Sequence, residues 1–314
     1  MSNLTVRVLV AIVGIPLILL LTMTGGFWFF AFVAVVSSVA LAEFYTLARA
    51  KGAFPQTIPG ILLGLFLSTV FIFARLRDAV LGFLVAHELG VPAPTMSQYF
   101  LILFLLFVPL MLLVELFRNK GSALLNVAVT LFGAAYVSLF FGALIGLREL
   151  YIPEDFPVYL HFPVHGVSVP DDVRFTIDRW GGLTVLAIFV SIWMCDSAAY
   201  FAGRAFGKHK LFERVSPNKT WEGASAGFVF AVLAFVVARQ IALPYMTLTN
   251  AVVCGAIVGV FGQLGDLVES LLKRDAGVKD SSSLIPGHGG VLDRFDSLMF
   301  VSPLLFFYLD FVVF

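Results

Sequence analysis

Charged side chains and glycines are concentrated in one stretch near the C-terminal end of the chain, residues 270–296. It carries four aspartates and four Lys or Arg residues around a Pro-Gly-His-Gly-Gly turn at residues 286–290. Carboxylates are natural ligands of Mg²⁺, which usually also takes oxygens from substrate phosphates. Cations neutralise the remaining phosphate charge, and glycines let the backbone approach a ligand closely. The stretch therefore predicts a metal-assisted site for a phosphorylated substrate.

A second polar stretch, residues 203–223, combines cations with hydroxyl and amide side chains. Ser216, Asn218 and Lys219, with Lys208 before them, offer the donors that phosphate oxygens need. The alternative is a loop whose positive charge follows membrane topology and contacts anionic lipid. This stretch alone does not decide between the two interpretations.

Two aspartates, Asp196 and Asp266, fall inside long apolar runs. A charge inside a membrane span is costly, so each is a candidate functional residue. Asp266, Glu269 and Lys273 recur at positions i, i+3 and i+7, which places them on one helix face. We expect this stripe to form the wall of a site; the alternative is a buried carboxylate that a neighbouring helix satisfies.

The elements that must position these residues are membrane helices. Apolar residues make up 60% of the 314 residues and charged residues 13%, whereas soluble domains have about 45–50% and 25%. The apolar runs are continuous and about 20 residues long, which favours helices over barrel strands. We predict an all-α, polytopic integral membrane protein with about nine transmembrane helices. The predicted runs are 8–24, 27–47, 57–75, 98–117, 123–147, 182–202, 223–246, 249–270 and 296–314, with a separate short piece at 79–87.

The distribution of Lys and Arg predicts the orientation. With the N-terminus in the cytoplasm, fourteen of them fall in cytoplasmic connections and five in outside connections, as the positive-inside rule requires. We divide the chain into residues 1–180, which hold the N-terminal helices and an outside loop, and residues 181–314, a catalytic region with two charged cytoplasmic loops. The net charge is zero, and we expect no nucleic-acid partner.

Residues 270–296 resemble the signature of the phosphatidate cytidylyltransferase (CDP-diacylglycerol synthase) family. The family pattern, roughly S-x-x-K-R-x4-K-D-x4-[IL]-P-G-H-G-G-x-x-D-R-x-D, fits from Ser270 to Asp296. The stretch 216–223 (Ser-Pro-Asn-Lys-Thr-Trp-Glu-Gly) and the stretch 196–208 are similar to two further family motifs. The chain has no GxxxxGK[ST], GxGxxG or HExxH pattern, so a nucleotide site would be of another kind.

The resemblance implies transfer of CMP from CTP to phosphatidate, giving CDP-diacylglycerol and pyrophosphate. It also implies Mg²⁺ dependence, with a second, different cation left open, and a homodimer in the cell (inner) membrane. Both reactants are polyanions, so catalysis is expected to be positioning and charge neutralisation at the cytoplasmic face.

Residue roles follow from the resemblance. The residues expected to act in catalysis are Asp266, Asp293, Asp296, Lys279 and Arg294. Those expected to bind substrate are Lys208, Ser216, Asn218, Lys219, Lys273, Arg274 and His288. The expected metal ligands are Asp266 and Asp293, with Asp196 and Asp280 as further candidates. Two alternatives stay open: a CTP-dependent lipid or polyprenol kinase, and an ion-coupled transporter that uses Asp196 and Asp266.

Overall fold

The structure is a computed structural model that describes residues 3–88, 92–151, 169–287 and 289–314, with side chains from residue 10 onward. Nine helices run through these ranges, and eight of them are long and apolar enough to cross a membrane. The nine are α1 (Asn3–Thr24), α2 (Gly26–Ala50), α3 (Thr57–Ala86), α4 (Met96–Arg118), α5 (Ala123–Glu149), α6 (Asp171–Phe206), α7 (Trp221–Ile241), α8 (Leu248–Asp275) and α9 (Leu292–Val313).

The helices confirm the predicted all-α polytopic fold, because every predicted apolar run has its own helix. Two helix boundaries differ from the predicted ones by about ten residues. Residues 79–87 are no separate piece, since α3 continues through a 3-10 turn at Val70–Ile72 as far as Ala86. Helix α6 begins at Asp171, well before the predicted start at 182, and two aspartates in its first turn suit a helix N-terminus. The predicted division at residue 180 therefore falls inside α6.

Glycines on α8 allow α7 and α9 each to approach α8 closely, as small residues do between membrane helices. A Cβ at Gly255 would lie 2.5 Å from the Cα atom of Val232 on α7. A Cβ at Gly265 would lie 2.6 Å from the carbonyl oxygen of Asp296 on α9. Helix α8, which carries Asp266, is therefore wedged between α7 and α9.

Ion pairs fasten the N-terminal helices to the C-terminal ones at both ends of the bundle. At one end, buried Arg148 on α5 donates to Asp178 on α6 (2.7 Å) and to the Thr22 carbonyl of α1 (3.1 Å). At the other end, Lys51 after α2 pairs with Asp275 at the end of α8 (3.2 Å). Connections that the charge count assigned to the cytoplasm thus meet at one end of the bundle.

A small antiparallel hairpin, which the sequence analysis did not predict, follows α6. Its strands are β1 (Lys210–Phe212) and β2 (Ser216–Thr220). The strands are short, polar and interrupted by Pro217, so they lack the apolar alternation that marks a strand. The Thr220 side chain accepts from the Gly223 amide at the start of α7. The hairpin is therefore joined rigidly to a membrane helix.

Candidate active site

A cavity of about 1110 Å³ opens where α6, α7, α8 and α9 meet α1 and α2. Its lining combines charged and apolar residues. The charged lining residues are Asp196, Arg204, Lys219, Asp266, Lys273, Asp280, Asp293, Arg294 and Asp296. The structure thus gathers residues from both polar stretches and both aspartate-bearing helices around one space.

Lys219 connects the hairpin to the aspartates on the helices. Its Nζ lies 2.7 Å from Oδ2 of Asp266. Asp196 on α6 and Asp296 on α9 are close enough to Asp266 and Lys219 to interact electrostatically with them. The three carboxylates and Lys219 therefore belong to one electrostatic cluster, which additional cations can stabilise.

A second charged cluster lies one helical turn further along α8. The Nζ of Lys273 is 2.5 Å from Glu269 and 2.6 Å from Oδ1 of Asp293 on α9. Both carboxylates are almost fully buried, and Lys273 is nearly so. Taking one partner away from such a buried cluster leaves a charge without compensation. Of the predicted stripe, Asp266 and Lys273 line the cavity, whereas Glu269 is buried behind it and pairs with Lys273.

Backbone amides of the signature loop fix Asp293 in place. Its Oδ2 accepts from the Ser281 amide (2.9 Å) and the Gly290 amide (2.7 Å). The Ser281 hydroxyl lies 3.0 Å from the same oxygen and 2.9 Å from Glu43, so its single hydrogen is shared between the two carboxylates. Asp280 and Arg294, the immediate neighbours of Ser281 and Asp293, face the cavity. The loop conformation thus decides where these charged groups stand.

The apolar lining of the cavity includes residues of α6, which carries Asp196, and of α1 and α2, two helices that the sequence analysis did not connect with the site. Gly14 and Ile18 of α1, Val36 of α2, and Ile192 and Trp193 of α6 belong to it. An apolar wall beside a cluster of cations suits an amphiphile whose anionic head meets the charges and whose chains follow the wall.

Several predicted site residues lie elsewhere. Asn218 lines the cavity with Lys219, whereas Ser216 and Lys208 belong to the hairpin region outside its lining. The exposed Arg274 donates to the carbonyl of Val278 in its own loop (3.1 Å). Lys279 is exposed in the same loop and is not part of the lining either. His288 lies outside the described residues. The roles proposed for these residues stay predictions.

The carboxylates at the cavity have the oxygen donors that Mg²⁺ prefers. Among the described side chains, no group of three or more His, Cys, Asp or Glu residues is arranged to hold a metal ion. Mg²⁺, however, usually binds through one or two carboxylates and completes its shell with substrate phosphates and water. Asp266, whose side chain is 36% exposed, faces the cavity with oxygens of this kind. The donor chemistry therefore fits a magnesium ion that binds together with a phosphorylated substrate.

Sequence reasoning missed Glu43, a carboxylate on α2 that contacts the signature loop. It accepts hydrogen bonds from the hydroxyls of Ser281 and Ser282 and from the amides of Val291 and Leu292. The signal was present, because Glu43 lies inside the predicted apolar run 27–47, where a charge marks a functional candidate. Its partners, more than 230 residues away in sequence, were not foreseeable from that position.

The fold defines a multi-pass membrane protein, and its cavity combines charged and apolar lining residues. The sequence model of the cytidylyltransferase family matches residues 5–312, and the chain belongs to this family. The phosphatidate cytidylyltransferase of Synechocystis is 33% identical over 306 residues, 97% of this chain and 96% of the relative. That of Bacillus subtilis is 34% identical over 312 residues, 98% of both chains. That of Haemophilus influenzae is 45% identical over a shorter stretch of 145 residues.

Proposed function

We propose that this protein transfers CMP from CTP to phosphatidate, which yields CDP-diacylglycerol and pyrophosphate. The observation that carries the proposal is the mixed lining of the cavity, in which Lys219, Lys273 and Arg294 border the same space as apolar residues of α1 and α2. The names of the full-length relatives, phosphatidate cytidylyltransferases, support the same substrates.

The reaction needs little proton transfer. An oxygen of the phosphatidate phosphomonoester attacks the α-phosphorus of CTP in line, a new P–O bond forms, and the bond to the β-phosphate breaks as pyrophosphate leaves. The main obstacle is repulsion between two polyanions. Lys219, on the hairpin, and Arg294, on α9, border the cavity from different elements. They can therefore hold the two sets of phosphates at one place and neutralise the charge that the transition state spreads.

Magnesium is part of the proposal. Asp266 and Asp293 are the leading candidate ligands, with Asp196 and Asp280 as further ones, and all four line the cavity. A bound Mg²⁺ would neutralise and orient phosphate oxygens of the nucleotide. Asp293 already accepts from Lys273 and from loop amides, so it holds the loop in addition to any role as a ligand. Asp266 pairs with Lys219 through Oδ2, and its Oδ1 accepts from the Ser270 hydroxyl (3.3 Å).

We infer that the lipid enters with its acyl chains along α1, α2 and α6 while its phosphate reaches the charged side. The charge count supports a cytoplasmic position for that side, where CTP is found, with the N-terminus on the same side of the membrane. The relatives named above are bacterial, so we propose the cell (inner) membrane as the location of this protein. A homodimer remains part of the proposal on the strength of the family resemblance.

The identity of the products tests the proposal. Detergent-purified protein is given phosphatidate, Mg²⁺ and CTP labelled at either the α- or the γ-phosphorus. CMP transfer moves the α label into lipid and the γ label into pyrophosphate. A γ label in lipid, with the α label in CDP, would replace the proposal by the kinase alternative. Neither product from folded protein would refute both enzymes and make ion-coupled transport the next assay.

A further inference from the structure

Glu43 is a buried carboxylate on a helix that contributes only apolar residues to the cavity lining. Its residue is 6% exposed, and its neighbours in sequence on α2, Leu41 and Phe44, are part of the apolar core. Burying a carboxylate is costly unless hydrogen bonds compensate for the lost water. The contacts of Glu43 therefore indicate why the protein retains this charge.

Four donors surround the carboxylate, two at each oxygen. Oε2 accepts from the Ser281 hydroxyl (2.9 Å) and the Leu292 amide (2.8 Å). Oε1 accepts from the Ser282 hydroxyl (2.6 Å) and the Val291 amide (3.0 Å). The amides belong to the start of α9, where helix N–H groups lack partners within the helix. One side chain on α2 thus binds both ends of loop 281–291.

The loop is packed so tightly on Glu43 that its last glycine is required. A Cβ at Gly290 would lie 2.0 Å from the Ser281 hydroxyl oxygen and 2.5 Å from Oε2 of Glu43. The Ser281 hydroxyl also lies 3.0 Å from Asp293, so Glu43 and Asp293 share a neighbour. Ser281 therefore links the position of Glu43 to that of Asp293.

We propose that Glu43 is a positioning residue for the transfer reaction: it holds loop 281–291 so that Asp293 and Arg294 face the substrate phosphates. Glu43 is not part of the cavity lining and acts only through the loop. This inference rests on the proposed function, because it assigns Glu43 a role in that reaction.

The variant Glu43→Gln tests the role. The carboxamide keeps the shape but turns an NH₂ group toward donors, so about two of the four bonds are lost. We expect kcat to fall about 100-fold, the effect of misplacing a site by roughly 1 Å. The KM for phosphatidate should change by less than about threefold, because the apolar wall is untouched. Glu43→Asp, which keeps the charge, should recover part of the loss.

Glu115→Gln is the matched control. Glu115 on α4 is equally buried, at 6% exposure, and accepts from Gln56, Asn126 and Arg118 away from the cavity. Both variants lose buried hydrogen bonds, and Glu115→Gln also loses the ion pair with Arg118, but only Glu43→Gln should lower kcat in the folded fraction. Equal kcat values for Glu43→Gln and Glu115→Gln, each corrected for folded protein, would overturn the positioning role.

Hydrogen exchange gives a second measurement that needs no turnover. The amides of Val291 and Leu292 should exchange about tenfold faster in Glu43→Gln, as loss of one bond predicts, and at the wild-type rate in Glu115→Gln. Unchanged exchange in Glu43→Gln would refute the positioning role, whether or not the wild type is active. Inactivity of the wild type would refute the proposed function alone. If Glu43→Gln does not fold, Ser282→Ala takes its place, because it removes one of the four donors. It should lower kcat and speed amide exchange in the same way but by less. A Ser282→Ala protein with normal kcat and normal exchange would refute the positioning role.

Discussion

Lys219 and Asp266 form an ion pair, with Nζ 2.7 Å from Oδ2, that joins the hairpin to helix α8. Both side chains are partly exposed and both line the cavity. A phosphate that enters there competes with Asp266 for the Lys219 ammonium, because both are oxyanions of the kind that lysine binds. We expect substrate binding to exchange this pair for a phosphate contact, which would release an Asp266 oxygen to a cation.

Lys219→Met should lower kcat/KM for CTP about 100-fold, in line with the loss of one charged donor at a transition state. Lys210→Met is the control, since Lys210 is on the same hairpin but donates to the carbonyl of Pro217 (2.6 Å). Steady-state kinetics of both variants decides the matter. If the two variants lose activity equally, the effect belongs to the hairpin's charge as a whole and not to Lys219.

Lys273→Met should destabilise the folded protein by about 3–5 kcal/mol, because it leaves two buried carboxylates uncompensated. Those carboxylates are Glu269 and Asp293, both within 2.6 Å of the Lys273 Nζ. Adding Glu269→Gln should restore part of the loss. Thermal unfolding of the detergent-solubilised protein measures both the loss in Lys273→Met and its partial recovery in the double variant. A wild-type melting temperature for Lys273→Met would show that the cluster contributes nothing to stability.

Gly14→Phe should obstruct the apolar wall, because Gly14 lines the cavity and a Cβ at this position meets no described atom within 4 Å. We expect the KM for phosphatidate to rise about tenfold, the effect of an overfilled apolar space, while the KM for CTP stays unchanged. Val13→Phe is the control, since Val13 is 67% exposed and is not part of the lining. A rise in the KM for CTP alone would place the lipid chains elsewhere.

Removal of divalent cations with a chelator should stop turnover, and added Mg²⁺ should restore it. The physical reason is that Asp196, Asp266 and Asp296 all line the cavity, so an arriving polyanion meets repulsion unless a cation accompanies it. Initial rates across a magnesium titration measure the requirement. Full activity in excess chelator would remove the metal from the mechanism.

The sequence was sufficient to predict the helices, because each membrane span needs one continuous apolar run. Asp266 and Asp196 were also predictable as cavity residues, since a charge in such a run is rarely kept without a role. Lys219 and Asp293 became candidates through their motifs, and both line the cavity. These features are local, and local patterns are what a sequence displays.

Contacts between distant elements could not be predicted in this way. Nothing near Glu43 indicates that α2 packs against Ser281 and Ser282, because the order in which helices pack leaves no periodic trace. The contribution of α1 to the apolar wall was hidden for the same reason. The directions of Arg274 and Lys279 depend on the turn that follows α8, and sequence spacing does not determine them.

The central claim is that the cavity around Asp266 transfers CMP to a lipid. Its most direct test is the rate at which α-labelled CTP gives labelled lipid with the wild type and with Asp266→Asn, both shown to be folded. The account predicts labelled lipid from the wild type and about 1% of that rate or less from the variant. A comparable rate from folded Asp266→Asn would contradict the account, because it would place the chemistry outside this cavity.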